Sequence, residues 1–419
     1  MSGKYQERLS QLEGVLKEDL IDLQQLRASS SSGIPESLRP LSWRLLLEYL
    51  PPKRAEWTEF LQKQRQNYGE LVLDMIVRPG DSNSEQADHP LNPNPDSAWS
   101  NYFKDNEVLL QIDKDVRRLC PEMSFFQQPT PFPNRPASRL NLSKRINSCN
   151  LHAEVFETSR SGATNFVASS RKKAVEQYKS LDEGDEAHWQ VVERILFIYS
   201  KLNPGVKYVQ GMNEVLGPLY YVFAQDTNDS WAEHAEADTY YCFQNLMSEI
   251  KDNFIKTLDQ SNCGIEWTMT RFYERFKDCD PDLYEYLVTE QGLLPQYYAF
   301  RWLSLLLSQE FLLPDVITIW DALFADDKRF EFLQYVCLAM LYNARDRLLQ
   351  GDFSANMRLL QNYPEVDVGQ LVVIAHDLKE GNLSVISKSD SSNSMDRAKK
   401  PTTISSVLSS TLRSFTGKS

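Results

Sequence analysis

Apolar residues recur at three- and four-residue steps along most of this chain, and almost nowhere do they alternate with polar ones. From Trp189 the series Val191, Ile195, Ile198, Tyr199 and Leu202 marks one helical face, which Asn203, Pro204 and Gly205 bring to an end. From there to about residue 380 the pattern continues as successive helices of roughly ten to twenty residues, separated by Pro, Gly or Asp-rich turns. No alternating run is bounded by a hairpin dipeptide. The expected fold is all-α, and because no self-similar period marks a solenoid, it is an irregular multi-helix domain.

Upstream the same logic sets the organisation. Leu9, Leu12, Leu16, Leu20, Leu23 and Leu26 predict one helix over residues 5–26, broken by the serine run Ser29 to Ser32. Leu38, Leu41, Trp43, Leu45, Leu46 and Tyr49 predict a short buried helix closed by Pro51 and Pro52. Residues 54–78 are expected to be helical, and Gly80 to Ser100, with HPLNPNPDS inside it, a loop. A helix from Asp105 carries Val108, Leu109, Ile112, Val116 and Leu119 on one face until Pro121 stops it. Gln127 to Glu186 is rich in Pro, Ser, Asn and Arg and is expected to be an inserted, largely mobile loop.

Three regions result: an N-terminal helix and Ser-rich linker over 1–32, a helical domain over 33–380 with a polar insertion at about 127–187, and a Ser-rich, basic, disordered tail over 384–419. In that tail six Lys or Arg stand against two Asp. Ile404, Val407, Leu408, Leu412 and Phe415 fall at helical spacing after Pro401, which allows a membrane contact through 401–415 beside the plainer reading of a solvated, phosphorylatable tail.

Composition removes several function classes. With 45 Lys plus Arg against 58 Asp plus Glu the chain carries −13, which repels a phosphate backbone, so no nucleic-acid partner is expected. No apolar run approaches the roughly 18 residues of a membrane span, and MSGKYQERLS lacks a signal-peptide core. A soluble, cytoplasmic protein is expected. Cys120, Cys149, Cys242, Cys263, Cys279 and Cys337 are scattered without CxxC spacing or a nearby histidine, as ordinary reduced thiols are. His234 and Asp238 stand at i,i+4 with Glu236 between them, but acidic residues opening a helix are explained by its dipole, and no metal site is expected. Asp326 and Asp327 are expected to begin a turn or cap the helix that follows. Phosphate-cradling glycine loops, zinc helices and nucleophile elbows are absent from the sequence.

Two segments remain. In IDKDVRRLCP, Asp115 and Arg118 are neighbours on a helix about to end, where the arginine can reach beyond the last turn. On that segment alone a surface ion pair worth under about 1 kcal/mol is the better explanation. In KYVQGMNEVLGPLYYVF, Gln210 sits at a loop-to-helix junction, with Gly211 allowing an unusual dihedral and Met212 opening an apolar helix. Capping by Gln210 and Asn213 is the alternative there, and spacing does not separate the two.

Four ordered motifs carry a family resemblance: GIPxxLRxxxW at Gly33 to Trp43, IxxDxxR at Ile112, Asp115 and Arg118, YxQGMN at Tyr208 to Asn213, and the RW, EF and WD elements between Arg301 and Phe324. Together they resemble the TBC domain of Rab GTPase-activating proteins over residues 33–380. The resemblance implies an enzyme activator, not an enzyme. Arg118 and Gln210 would be arginine and glutamine fingers, offered in trans to a GTP-bound Rab-family GTPase. Asp115 would position Arg118, with Ile112 in the same motif, while Tyr208, Gly211, Met212 and Asn213 would shape the loop that delivers Gln210. Arg301 and Trp302 would support the groove, Trp302 by core packing. No cofactor of its own is implied, since GTP and magnesium would belong to the GTPase. The setting would be vesicle trafficking, with peripheral contact to endomembranes. A non-catalytic Rab-binding scaffold is the alternative. Leu119 and Cys120 stand where the family commonly has Thr and Phe.

Overall fold

A computed structural model describes residues 3–76, 94, 97–134, 141–143, 145–146, 184–254 and 264–382. The expected tail helix with its membrane contact at 401–415, Cys149, Cys263 and most of the 127–187 insertion lie outside those residues. The fold is all-α. Among the described residues there are no β-strands, only isolated bridges joining Leu20 to Lys53 and Pro129 to Ala187. No described helix is long and apolar enough to cross a membrane.

The chain opens with α1 (Gly3–Lys17) and α2 (Leu23–Ser30), not one continuous helix. Between them the backbone turns to pair elsewhere, with Ile21 N donating to Pro52 O at 3.0 Å. Asp22 then caps α2 by accepting from Gln24 and Gln25 amides. Leu20, which continued the leucine period, is left 69% exposed, and Ile21 is buried in its place.

Next come α3 (Arg39–Leu46) and α4 (Trp57–Met75). The following helix, α5 (Ala98–Val116), starts seven residues before Asp105, because Ser97 caps it and Trp99, Tyr102 and Phe103 cluster along its first turns. Edge-on and tilted ring contacts there replace the aliphatic stripe.

At the centre lies α6 (His188–Leu202), whose residues from His188 to Ser200 are almost all buried. Packed on it are α5, α7 (Met212–Ala224) and α8 (Ala235–Ile250). A helix enclosed on this many sides brings the C-terminal end of α5 beside the N-terminal end of α7. The second half adds α9 (Ile265–Cys279), α10 (Ala299–Ser304), α11 (Leu313–Ala325), α12 (Arg329–Asn343), α13 (Arg345–Gln350), α14 (Phe353–Gln361) and α15 (Val368–Glu380).

Two buried carboxylates tie distant segments together. Asp321 of α11 accepts from Ile34 N at 2.9 Å, Arg39 Nε at 3.0 Å and Trp43 Nε1 at 2.8 Å, which gives the opening GIPxxLRxxxW motif a structural job. Asp238 of α8 accepts from Arg44 and Arg65 at 2.9 Å each and from the Tyr49 hydroxyl at 2.9 Å. Both charges are satisfied inside the core, as burial requires. Glu236 is likewise held by Arg194 and the Tyr68 hydroxyl, so α8's first-turn acids serve arginines as well as the helix dipole. No cluster able to hold a metal occurs among the described residues. Asp326 accepts from Lys328 N at 2.8 Å, the turn expected of it.

The insertion leaves and re-enters the core at one place. Thr130 N donates to Glu186 O and His188 N to Gln128 O, closing its two ends as an antiparallel pair. Part of it is packed: Leu142, Ser143, Arg145 and Ile146 are buried, and Arg145 lies 3.8 Å from the centroid of the Tyr102 ring. That corrects the expectation of a largely mobile loop for this piece, whose two apolar residues were too few to show a period.

Candidate functional site

Leu109, Ile112 and Val116 bury one face of α5 against the core, so its final turn is fixed while the residues opposite stay in solvent. Arg117 caps the end, pairing with Asp113 at 2.9 Å and lying over the Trp189 ring. Arg118, next in the chain, is more than half exposed. Its Nε donates to Lys114 O at 2.8 Å and its terminal nitrogen lies 3.2 Å from Asp115 Oδ1, which holds the stem and leaves donors of the guanidinium facing outward.

Beyond it, Leu119 turns inward and its methyls crowd Gly217 of α7, where any Cβ would lie 3.0 Å away. Cys120 follows with φ of 41°. Its thiol is pushed up by burial and by Glu214 and Glu122, so it stays protonated and unreactive.

The second segment begins where α6 stops. Lys207, at φ 60°, donates to Asn203 O at 2.8 Å and redirects the chain. Tyr208 is buried, and its hydroxyl donates to Asp115 Oδ2 at 2.7 Å with a longer 3.4 Å approach to Asn213 Oδ1. Burial and the neighbouring Asp115 carboxylate raise this phenol, so it remains a donor. Val209 to Met212 then form a tight turn. Met212 N donates to Val209 O at 3.1 Å, and Gly211 adopts φ 103° and ψ −15°, as the third residue of a type II turn does.

Gln210 occupies the corner of that turn, exposed, with no hydrogen-bond partner among the described residues. A side chain at Gly211 would be both strained and blocked, since its Cβ would meet Leu305 Cδ2 at 2.7 Å. Met212 is fully buried and anchors the start of α7. Asn213 donates to Asp115 O at 3.5 Å and to Glu214 at 3.2 Å.

One carboxylate therefore joins the two segments. Asp115 Oδ1 faces Arg118 and Oδ2 receives Tyr208, so the arginine and the turn bearing Gln210 are braced on one bonded unit. Among the described residues, the polar and ring contacts of Arg301 and Trp302 lie within the second half of the chain and do not reach this unit. Arg301 pairs with both oxygens of Glu310, at 2.5 and 2.8 Å, and donates to Gln361 O; Trp302 is buried edge-on to Tyr298 and Tyr363.

Beside Arg118 opens a cleft of about 560 Å³ lined by Glu122, Glu214, Glu310, Asp315 and Glu365 as well as Pro121, Phe311 and Leu312. Burial and the nearby Asp367 and Glu365 raise the Asp315 carboxyl. The arrangement suits neither nucleophilic attack nor metal binding by its own groups. What it offers is a guanidinium and an amide, presented outward from segments joined at Asp115. Spacing put Leu119 on the buried face of its helix but did not reveal Leu305, whose leucine-rich surroundings look like any core segment.

Comparison with known proteins places these features in context. A family model described as the Rab-GTPase-TBC domain matches residues 173–349, a span that includes Gln210 and begins after Arg118. TBC1 domain family member 13 of Homo sapiens is 54% identical over 400 residues, covering 91% of this chain and 100% of the relative. A TBC domain-containing protein of Schizosaccharomyces pombe is 33% identical over 463 residues, covering 92% of this chain and 74% of the relative. The crystal structure of the Ypt/Rab-GAP domain of Gyp1p superposes with a TM-score of 0.64 at 23% identity, covering 90% of this chain and 99% of that one, which is likeness of fold.

Proposed function

The chain belongs to the Rab-GTPase-TBC family, and from that premise we propose that it is a GTPase-activating protein that accelerates GTP hydrolysis by a GTP-bound Rab-family GTPase. Arg118 and Gln210 are the two groups it lends. The observation that carries this reading is the Asp115 bridge: a carboxylate that orients Arg118 also receives the hydroxyl of the turn presenting Gln210.

The chemistry follows from the groups. Phosphoryl transfer develops charge on the transferred oxygens, and a permanently charged guanidinium supplied from outside the nucleotide site raises turnover by about a thousandfold or more in such systems. A glutamine amide both accepts from an attacking water and donates to a phosphate oxygen, which fixes the water's line of approach. GTP and magnesium belong to the GTPase, and the activator contributes no cofactor. The site of action is cytoplasmic, on the surface of trafficking membranes.

The test is GTP hydrolysis by a panel of GTP-loaded Rab proteins, with Arg118→Lys and Gln210→Ala beside the natural chain. Each substitution is expected to lower the accelerated rate while binding persists. Unchanged rates reject the two-finger mechanism, and tight binding with no acceleration by the natural chain makes it a scaffold.

A further inference from the structure

Gly211 has no room for a side chain because Leu305, 94 positions later, fills that space, with Cδ2 at 2.7 Å from where the Cβ would lie. We infer that Leu305 is a positioning residue for Gln210: it is the wall against which the Val209–Met212 turn rests. This rests on the reading of Gln210 as a glutamine finger.

The wall is itself built to stay still. Leu305 ends α10, accepting from Ser308 N at 3.0 Å and donating to Arg301 O at 3.1 Å. Leu306 and Leu307 follow at φ of 52° and 63°, left-handed values that branched L residues adopt only when their surroundings force them. Three contacts supply the force. Trp320 Nε1, buried in α11, donates to Leu306 O at 2.9 Å; Leu307 N donates to Trp302 O at 2.9 Å; and Arg301 clips Glu310 on the far side of the turn. Two consecutive strained residues thus set the height at which the Leu305 methyls stand.

The consequence for Gln210 is steric. Its turn holds through the Gly211 dihedral and the Met212 N to Val209 O bond on one side, and through contact with Leu305 on the other. Among the described residues Gln210 has no hydrogen-bond partner to hold it in place. Trimming Leu305 leaves a gap under Gly211 that the turn can sink into, drawing the amide away from the water it aligns.

The experiment uses the full chain and a Rab protein whose hydrolysis it accelerates, measured as single turnovers over a range of activator concentration. Leu305→Ala is expected to lower the maximal rate on the order of tenfold or more while moving the half-saturating concentration by less than about twofold. Leu305→Met, which refills the space, retains most of the rate. In a Gln210→Ala background, adding Leu305→Ala costs no more than about a further twofold, because residues acting as one unit are not additive. If Leu305→Ala fails to fold, Leu305→Val carries the same comparison.

A full maximal rate in the folded Leu305 variant overturns the inference. So does an equal loss in the Gln210→Ala background, or a loss confined to half-saturation. An unchanged rate for Gln210→Ala alone overturns instead the finger reading beneath it.

Discussion

Tyr208 donates its hydroxyl proton to Asp115 Oδ2 at 2.7 Å across 93 residues of chain, while the other oxygen of that carboxylate faces Arg118 at 3.2 Å. Tyr208→Phe keeps the packing and removes the bond. The buried side of the carboxylate then loses its donor, at an expected cost of about 1–3 kcal/mol. The accelerated hydrolysis rate should fall several-fold, because Asp115 is freed to turn and takes Arg118 with it. Denaturant unfolding and single-turnover hydrolysis check the two halves; a variant with unaltered midpoint and rate shows that the bridge holds nothing.

Gly211→Ala introduces two penalties at once. The left-handed dihedral costs an L residue about 1–2 kcal/mol, and the new methyl must displace Leu305 Cδ2 or move the turn. The expected result is a folded protein with a lowered melting temperature and most of its stimulating activity gone. Activity equal to the natural chain's would mean that the turn tolerates a different shape.

Much of the helical framework was legible because burial imposes a period. The stripe from Val191 to Leu202 and the cluster from Leu38 to Tyr49 correspond to α6 and α3, both deeply buried. Where a residue keeps the period but the backbone bonds elsewhere, the period misleads. Leu20 is such a case, since its segment pairs with Lys53 instead of continuing α1. The start of α5 was hidden for another reason, its first turns being stabilised by rings of Trp99, Tyr102 and Phe103.

At the site, the residue types at each motif could be read but their joining could not. Asp115 and Arg118 are visible as helical neighbours, whereas the hydroxyl of Tyr208 reaches Asp115 only through tertiary packing. The left-handed pair at Leu306 and Leu307 had no signal at all, because a run of leucines contains none of the Gly, Asn or Asp that mark such a turn.

Asp238 is the hub of the buried ionic network, accepting from Arg44, Arg65 and Tyr49. Asp238→Ala leaves Arg44, itself fully buried over the rings of Phe223 and Trp231, with Asp226 as its remaining acid. Removing one partner of a buried pair costs about 3–5 kcal/mol, a large part of the stability of an ordinary domain. Urea unfolding should show an unfolding free energy lowered by that amount, and a loss below about 1 kcal/mol would mean that the cluster is satisfied by water.

His188 opens α6 with its ring stacked 4.0 Å from Phe125 and its Nδ1 2.7 Å from the Tyr220 hydroxyl. Burial lowers it from 6.5 to about 4. The unfolded chain therefore takes up the proton first as pH falls, so the stability His188 contributes is complete above 6.5 and is lost as pH falls through about 4. Over that window the loss amounts to at most about 3 kcal/mol. Buried Glu193 acts with the opposite sign: its carboxyl is raised, so its contribution is present in acid and lost as pH rises. Total stability mixes the two, and a difference separates them. His188→Gln removes the titrating ring while keeping a polar group near Tyr220, so the advantage of the natural chain over this variant should shrink steadily between pH 6.5 and 4. Denaturant midpoints measured for both proteins across that range test it, and a constant difference would place the histidine's proton affinity at its ordinary value in the folded state.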